Sequence, residues 1–258
     1  MRQPIAILDS GVGGLTVAKE VMRQLPREKI IYFGDTARAP YGPRPPEEII
    51  GFTEQIVFFL RRFHPKMIVI ACNTATAVAL DAIRSRVDVP VIGVIHPGAR
   101  AAVKWTRSRL VGVIGTERTV LSGAYNKALK EIDPNIVVYS QACPRLVPLV
   151  EKGLFGSNEA LEIVRDSLEP LCGLGIDTLI LGCTHYPFLQ DHISKVMGPE
   201  VDLINSAEET ASEVRNVLAN LGQLSEQSGK PSHHFFCSGD PKMFLEIARK
   251  WLGIEVQV

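Results

Sequence analysis

The sequence has no excess of either charge and no long apolar run. Lys plus Arg and Asp plus Glu both number 28, so the formal net charge is zero. A neutral chain lacks the basic surface that is typical of proteins binding nucleic acid or anionic membranes. No run approaches the roughly 18 apolar residues that a membrane span needs. The sequence therefore predicts a protein with no nucleic-acid partner and no membrane partner.

The sequence also lacks the patterns of secreted, disulfide-stabilised proteins. The N-terminal stretch "MRQPIAILDSGVGG" reaches Asp9 after a short apolar run, which is too short for a signal peptide. Five cysteines are spread along the chain without a CxxC pair, and this spacing favours reduced thiols. We therefore expect a cytoplasmic protein. The stretch "GVGG" does not match GxGxxG, so no dinucleotide cofactor is predicted.

Short apolar runs alternate with longer helix-like stretches along the whole chain. This alternation predicts βαβ units, and continuous apolar runs are typical of parallel strands covered by helices on both faces. The predicted strands are 4–8, 29–33, 66–71, 89–94, 109–114, 135–140, 177–182, 201–205 and 233–237. The predicted helices include 15–24, 47–63, 74–85, 120–130, 207–221 and 241–251.

Two coarse halves of the sequence indicate two similar α/β domains with mostly parallel sheets flanked by helices. The first half opens with "AILDSGVGGLTV" and later contains "VIACNTATA"; the second opens with "GVIGTERTV" and later contains "LILGCTHYP". In each half a strand ends in polar residues, and a later strand ends in a cysteine. We predict a first domain of 1–95, joined by the returning segment 206–258, and a second domain of 96–205.

Cys72 and Cys183 lie at the predicted carboxyl ends of strands, where ligands bind in open α/β sheets. Both also precede predicted helices, whose N-terminal N–H groups and dipole lower the pKa of a thiol. Such a thiol is suited to act as a base or a nucleophile near neutral pH. The alternative for any single cysteine is packing as a small hydrophobe, and we adopt it for Cys143, Cys172 and Cys237.

Polar side chains accompany both thiols. His185 follows Cys183 by two residues, and it can tune the proton affinity of the thiol, act as a general acid/base, or satisfy a helix start. Asp9 and Ser10 end the first strand, where they can cap a helix, contact a substrate ammonium group, or hold Cys72 in its protonation state. A zinc site built from Cys72, Cys183, His185 and Asp9 is an open alternative.

Two thiols facing one small ligand from two domains would suit a particular chemistry. One base removes a proton from carbon while the other delivers a proton to the opposite face, and the stereocentre is inverted. Without a cofactor, N–H and hydroxyl donors must hold the carboxylate of the ligand as negative charge develops. The "SG", "NT" and "TH" segments after the strands supply such donors.

At these residues the sequence resembles the glutamate racemase family of cofactor-independent amino-acid racemases. The resemblance rests on "LDSGVGGLTV" (8–17), "YFGDTARAPYG" (32–42), "ACNTATA" (71–77), "PRLVPLVEKG" (144–153) and "LGCTHYP" (181–187). Phe188 stands where Leu is expected. The resemblance implies two α/β domains with the active site in the cleft between them. It also implies a cytoplasmic homodimer that takes glutamate as substrate, supplies D-glutamate for peptidoglycan, and needs neither cofactor nor metal.

The resemblance also implies the roles of individual residues. Cys72 and Cys183 would be the two bases, Asp9 would assist Cys72, His185 would assist Cys183, and Glu151 would be a further acid near the site. Cys72 would deprotonate the D-isomer and Cys183 the L-isomer. The implied substrate-binding residues are Asp9, Ser10, Tyr41, Gly42, Asn73, Thr74, Thr116, Thr119, Thr184 and His185.

Three other functions fit the same sequence. An aspartate racemase of the same family would carry out the same reaction on a shorter side chain. A non-catalytic two-lobed protein would bind an amino acid without exchanging its α-proton, and its cysteines would be packing residues. A zinc hydrolase would lose activity on chelation.

Overall fold

Two parallel sheets carry the fold, and each sheet belongs to its own unit. The computed structural model describes residues 3–226 and 228–252, with side chains described up to residue 250. One unit contains the chain up to Val94 and again from Ala207, and the other contains Ile95–Ser206. The end of the predicted returning segment, residues 253–258, lies outside the described residues. The predicted domain bounds, 1–95 with 206–258 and 96–205, stay a prediction.

The elements follow one another in chain order. The first part of the chain forms β1 (Ile5–Asp9), α1 (Leu15–Gln24), β2 (Ile30–Gly34), α2 (Pro46–Arg61), β3 (Met67–Ile70), α3 (Asn73–Arg84) and β4 (Val91–Gly93). The middle part forms α4 (Ile95–Trp105), β5 (Leu110–Gly115), α5 (Glu117–Leu121), α6 (Ala124–Ile132), β6 (Val137–Ala142), α7 (Leu146–Glu151), α8 (Asn158–Leu168), β7 (Thr178–Gly182), α9 (Gln190–Met197) and β8 (Asp202–Ile204). The last part forms α10 (Ser206–Asn220), β9 (His234–Cys237) and α11 (Pro241–Leu252).

The first sheet has the strand order β4-β3-β1-β2-β9, and every pairing in it is parallel. Successive side chains of a strand point to opposite faces. Ile5 and Ile7 therefore pack with residues of α1, α10 and α11, while Ala6 and Leu8 pack with residues of α2 and α3. Helices cover both faces, which explains why these strands are continuous apolar runs and confirms the predicted fold class.

The second sheet repeats the order of the first. Its order, β6-β5-β7-β8, is also parallel throughout. Read in reverse, it matches β4-β3-β1-β2, so that β5 corresponds to β1 and β7 corresponds to β3. Cys72 and Cys183 therefore follow equivalent inner strands of two similarly ordered sheets.

The predicted helix 120–130 is wrong as a single element. The structure has α5 and α6 in this region, with Gly123 between them at φ 66. Left-handed backbone of this kind interrupts a helix, and glycine adopts it without a steric penalty. Along residues 3–226 and 228–252, none of the helices has the length and apolar content needed to cross a membrane.

Candidate active site

Cys72 caps a helix at the end of β3. Its side chain is 5% exposed, and its sulfur accepts a hydrogen bond from the Ala75 N–H at 3.4 Å, which makes Cys72 the N-cap of α3. The Cys72 thiol lies 3.5 Å from the Ser10 hydroxyl, to which it donates. Asn73 and Thr74 form the first turn of α3, and both are buried. The predicted position of Cys72 at a helix N-terminus is confirmed.

Asp9 ends the neighbouring strand β1 and is completely buried. Its Oδ2 accepts a hydrogen bond from the Gly11 N–H at 3.0 Å, within the turn that leads into α1. A Cβ atom on Gly14 would lie 2.5 Å from the Asp9 Cβ, closer than real side chains approach. A glycine at position 14 therefore lets α1 pass directly over the Asp9 side chain. Asp9 is not the cap of α1, because the N-cap residue is Gly14.

Tyr41 and Gly42 lie in the long loop after β2, and both are buried. The Tyr41 hydroxyl donates to the carboxylate of Asp35. Burial raises the pKa of Tyr41 far above its ordinary value, and the hydrogen bond and charge of Asp35 and the charge of Cys72 add to the rise. Tyr41 and Cys72 lie in the same cluster of buried residues, and the raised pKa keeps the Tyr41 hydroxyl neutral.

Cys183 lies at the equivalent strand end of the second sheet, directly after β7, and is 8% exposed. It does not precede an α-helix, so that prediction is wrong. A 3₁₀ turn over Tyr186–Leu189 follows instead, and α9 begins only at Gln190. Pro187 has no N–H to donate to the Cys183 carbonyl, which an α-helix starting here would require. The Tyr186 N–H donates to that carbonyl at 3.1 Å.

His185 joins Cys183 to Glu151. The Nδ1 atom of His185 lies 3.7 Å from the Cys183 sulfur, and its Nε2 atom lies 3.4 Å from the Glu151 carboxylate. Burial lowers the pKa of His185, but the hydrogen bonds and negative charges of Cys183 and Glu151 outweigh it and raise the pKa to about 10. His185 is therefore protonated at neutral pH, and it can return a proton to the Cys183 sulfur.

Three threonines lie at the same edge of the second sheet. Because Gly115 pairs with Gly182, Thr116 and Cys183 leave adjacent strands side by side. The Thr116 side chain caps α5 by accepting from the Thr119 N–H at 3.3 Å, and the two hydroxyls lie 3.0 Å apart. Thr184 is buried next to Cys183. Each sheet thus carries a cysteine and hydroxyl groups at the carboxyl ends of its strands.

Sequence reasoning missed a set of buried tyrosines around the thiols. Burial raises the pKa of Tyr32, and the charges of Asp9 and Cys72 raise it further. Burial likewise raises the pKa values of Tyr125 and Tyr186, with the charge of Cys183 adding to both. Tyr32 lies 40 positions before Cys72 and Tyr125 lies 58 positions before Cys183, whereas Tyr186 lies only 3 positions after Cys183. Tyr32 and Tyr186 lie within the motifs "YFGDTARAPYG" and "LGCTHYP", which could have pointed to them, whereas Tyr125 lies in no such motif.

The prediction that the remaining cysteines are packing residues is confirmed for Cys143 and is wrong for Cys172. Cys143 is completely buried, and burial together with the charge of Cys183 raises its pKa to about 12, so it stays a neutral thiol. Cys172 is exposed and Cys237 is half-buried. No disulfide joins any of the five cysteines, all of which lie in the described part of the chain. Within residues 3–226 and 228–252, no three His, Cys, Asp or Glu side chains cluster as a metal site would require.

Known proteins are similar to this chain in sequence and in fold. A family model described as Asp/Glu/Hydantoin racemase matches residues 13–214. The chain belongs to this family. A glutamate racemase from Bacillus cereus is 52% identical to this chain over 257 residues. The alignment covers 100% of this chain and 96% of that protein.

Two solved structures of glutamate racemases align over nearly the whole of this chain. The crystal structure of an isoform from Bacillus anthracis has a TM-score of 0.97 and 49% identity, and covers 99% of this chain and 96% of that one. The Francisella tularensis enzyme, solved in complex with D-glutamate, has a TM-score of 0.93 and 35% identity, with coverage of 99% and 96%.

Proposed function

We propose that this protein interconverts L-glutamate and D-glutamate without a cofactor, using Cys72 and Cys183 as two bases. The observation that carries the proposal is the repeated placement of one nearly buried thiol after equivalent inner strands of two sheets. A two-base racemase needs two such groups, one for each face of the α-carbon. The full-length similarity to glutamate racemases supports glutamate as the substrate.

In the proposed reaction, the Cys72 thiolate takes the α-proton of D-glutamate, and the electron pair of the C–H bond remains on the α-carbon. The Cys183 thiol then donates its proton to the opposite face of that carbon. L-Glutamate leaves, and Cys72 is now a thiol while Cys183 is a thiolate. The reverse reaction begins from this state, with Cys183 as the base for the L-isomer and Cys72 as the acid.

The neighbours of each thiol support distinct roles in this scheme. Asp9, buried at the adjacent strand end, would assist Cys72. His185, in contact with Cys183 and Glu151, would keep a proton available to the Cys183 sulfur. Glu151 would act through His185, because its 3.4 Å contact is with the imidazole ring.

Hydroxyl and amide groups beside the thiols would hold the substrate as negative charge develops at the α-carbon. In the first unit these positions are Ser10, Tyr41, Gly42, Asn73 and Thr74, while the Asp9 carboxylate would contact the ammonium group of the substrate. In the second unit they are Thr116, Thr119, Thr184 and His185. Their burial supports the assignment, since donors in a water-poor site act more strongly on developing charge than exposed donors do.

We also propose that the protein is a cytoplasmic homodimer that supplies D-glutamate for peptidoglycan. The five cysteines without a disulfide fit a reducing compartment. Light scattering coupled to gel filtration tests the dimer, and a monomer at micromolar concentration would contradict it.

The test of the function uses purified protein with L-glutamate in D2O and no added cofactor. Polarimetry should show that the optical rotation is lost. NMR should show that deuterium has replaced the proton at the α-carbon of the product. An equal trial with L-aspartate tests substrate choice, and faster exchange of aspartate would favour an aspartate racemase. Binding of glutamate without α-proton exchange would contradict the proposal and favour a two-lobed binding protein.

A further inference from the structure

Asp35 is the centre of the loop that carries Tyr41. It is completely buried and directly follows β2, and its N–H donates to the carbonyl of Asp9 at 3.0 Å. One oxygen of its carboxylate, Oδ2, accepts from the Tyr41 hydroxyl and from Arg38 Nε, which lies 2.7 Å away. Asp35 therefore connects the loop to the strand end at Asp9 through its backbone and to Tyr41 through its side chain.

The second oxygen of Asp35 is bound by a residue 203 positions later in the chain. The Ser238 hydroxyl donates to Asp35 Oδ1 at 2.7 Å and accepts from the Ala37 N–H at 3.0 Å. The Ser238 N–H donates to the Gly34 carbonyl at 3.1 Å. Ser238 therefore contacts the end of β2 once and the loop twice, although it lies in the turn between β9 and α11.

The neighbouring residue, Gly239, shows how closely this turn approaches the loop. Its N–H donates to the Thr36 hydroxyl at 2.9 Å, and a Cβ atom at position 239 would lie 2.7 Å from the same hydroxyl. A side chain there would force the two segments apart. The approach of the β9–α11 turn to the Tyr41 loop is therefore built into the fold.

Tyr41 carries this contact to the site. Its ring is 1% exposed and packs against Phe52 at a centroid distance of 5.8 Å, and Phe52 is in turn covered by the Arg38 guanidinium at 4.2 Å. Tyr41 and Cys72 belong to the same cluster of buried residues. Movement of Asp35 would therefore change the position of a side chain beside one of the two thiols.

We propose that Ser238 is a positioning residue for substrate binding: through Asp35 it holds Tyr41 in place beside Cys72. The proposal rests on the proposed function, in which Tyr41 and Gly42 bind glutamate. Without the Ser238 hydroxyl, Asp35 Oδ1 loses its donor and the carboxylate can rotate away from Tyr41. The returning C-terminal segment would thus help to shape the substrate site although it supplies no group to the reaction.

The experiment compares Ser238→Ala with Ser238→Thr and with a matched control. Losing one hydrogen bond from the exposed Ser238 to the buried Asp35 carboxylate should raise KM for glutamate about fivefold. The value of kcat should change by less than about twofold, because the group that is lost affects binding and not chemistry. Ser238→Thr keeps the hydroxyl and should restore the parent KM. Ser85→Ala removes an exposed hydroxyl bonded to Ala82 and should leave KM unchanged.

A double-mutant cycle with Tyr41→Phe tests the route. If Ser238 acts through the Tyr41 hydroxyl, Ser238→Ala should raise KM by less than about twofold further in the Tyr41→Phe background. Full additivity of the two effects would overturn the proposed route. An unchanged KM in Ser238→Ala, or an equal rise in Ser85→Ala, would overturn the role in substrate binding.

A measurement without substrate separates this proposal from the proposed function. The protein is labelled with 3-fluorotyrosine, and Tyr41→Phe identifies the fluorine signal of Tyr41 among the five tyrosines. Ser238→Ala should shift or broaden that signal, and Ser85→Ala should not. An unchanged signal overturns the positioning role whether or not glutamate is racemised. A changed signal in a protein that does not racemise glutamate refutes the proposed function and, with it, the role of Ser238 in glutamate binding.

Discussion

At the scale of single residues, the two thiols have different surroundings although they follow equivalent strands. Cys72 receives a backbone N–H from its own helix and contacts Ser10. Cys183 does not lie at the N-terminus of a helix. It contacts His185 Nδ1, and the other ring nitrogen of His185 contacts Glu151. The second thiol therefore depends on an imidazole where the first depends on a helix N-terminus and on the neighbourhood of Asp9.

The pKa of His185 gives the first prediction. Glu151→Gln removes a negative charge 3.4 Å from the ring, so the pKa should fall from about 10 toward the ordinary 6.5. The measurement is an NMR titration of the histidine ring signals, with the His185 signal identified by His185→Gln. A His185 that titrates near 6.5 in the parent protein, or a Glu151→Gln variant without a shift, would contradict the proposed contact.

The same shift fixes the sign of the pH effect on stability. The pKa of His185 is higher in the folded chain than its ordinary value, so protonated His185 stabilises the fold. This contribution is fully present below pH 6.5 and is lost as the pH rises through about 10. The unfolding free energies of the parent and His185→Gln should therefore converge across that window.

The close packing at Gly14 predicts the effect of adding a side chain at this position. In Gly14→Ala the new Cβ would lie 2.5 Å from the Asp9 Cβ and 3.0 Å from the Ala71 Cβ. Overpacking of this kind should lower the unfolding free energy by about 1–3 kcal/mol and displace Asp9, with a loss of kcat. Urea unfolding and racemase assays measure both effects. Gly51→Ala is the control, because its Cβ would meet nothing within 4 Å; equal behaviour of the two variants would refute the argument.

At the scale of elements, local chemistry predicts most of the fold. Most strands in the described part of the chain are recognisable because they are apolar runs, and α1 matches its prediction at both ends. The errors have local causes: Gly123 divides a predicted helix in two, and Pro187 delays the helix after Cys183. Both residues were visible in the sequence, but glycine and proline are also tolerated in helices, and only the backbone conformation shows which outcome occurs.

The break between α5 and α6 can be tested directly. Gly123 has φ 66, and a side chain there would meet nothing within 4 Å, so any cost of Gly123→Ala comes from the backbone alone. We expect a loss of about 1–2 kcal/mol in unfolding free energy. Gly51→Ala, in the middle of α2, should instead stabilise the protein by about 0.5–1 kcal/mol. A neutral or stabilising Gly123→Ala would show that the left-handed conformation is not required.

At the scale of the whole molecule, the decisive contacts join distant parts of the chain, and no local pattern reveals them. Glu28 and Lys66 form a buried ion pair at 2.6 Å, and both also bind the segment after α10, at Ser225 and Gln223. The Asp35–Ser238 hydrogen bond joins residues 203 positions apart, and the Glu28–Ser225 bond joins residues 197 positions apart. Sequence reasoning could place each residue in or beside its element, but not the partners that the tertiary fold brings to it.

The Glu28–Lys66 pair predicts how strongly the returning segment is held. Lys66→Met leaves a buried carboxylate without its cation and should lower the unfolding free energy by about 3–5 kcal/mol. Lys127→Met, which removes an exposed pair with Glu131, should change it by less than about 1 kcal/mol. Urea unfolding of both variants measures the difference. Similar small losses in both would mean that the buried pair does not hold the segment.

That the two thiols serve one substrate stays a prediction, and one measurement tests it most directly. Racemisation of L- and D-glutamate is compared in Cys72→Ser, Cys183→Ser and the exposed control Cys172→Ser, after circular dichroism has shown that each is folded. The two-base account predicts a loss of at least about 100-fold in kcat for each of the first two variants, because neither base can replace the other. Cys172→Ser should match the parent. Full racemase activity in either Cys72→Ser or Cys183→Ser would contradict the account.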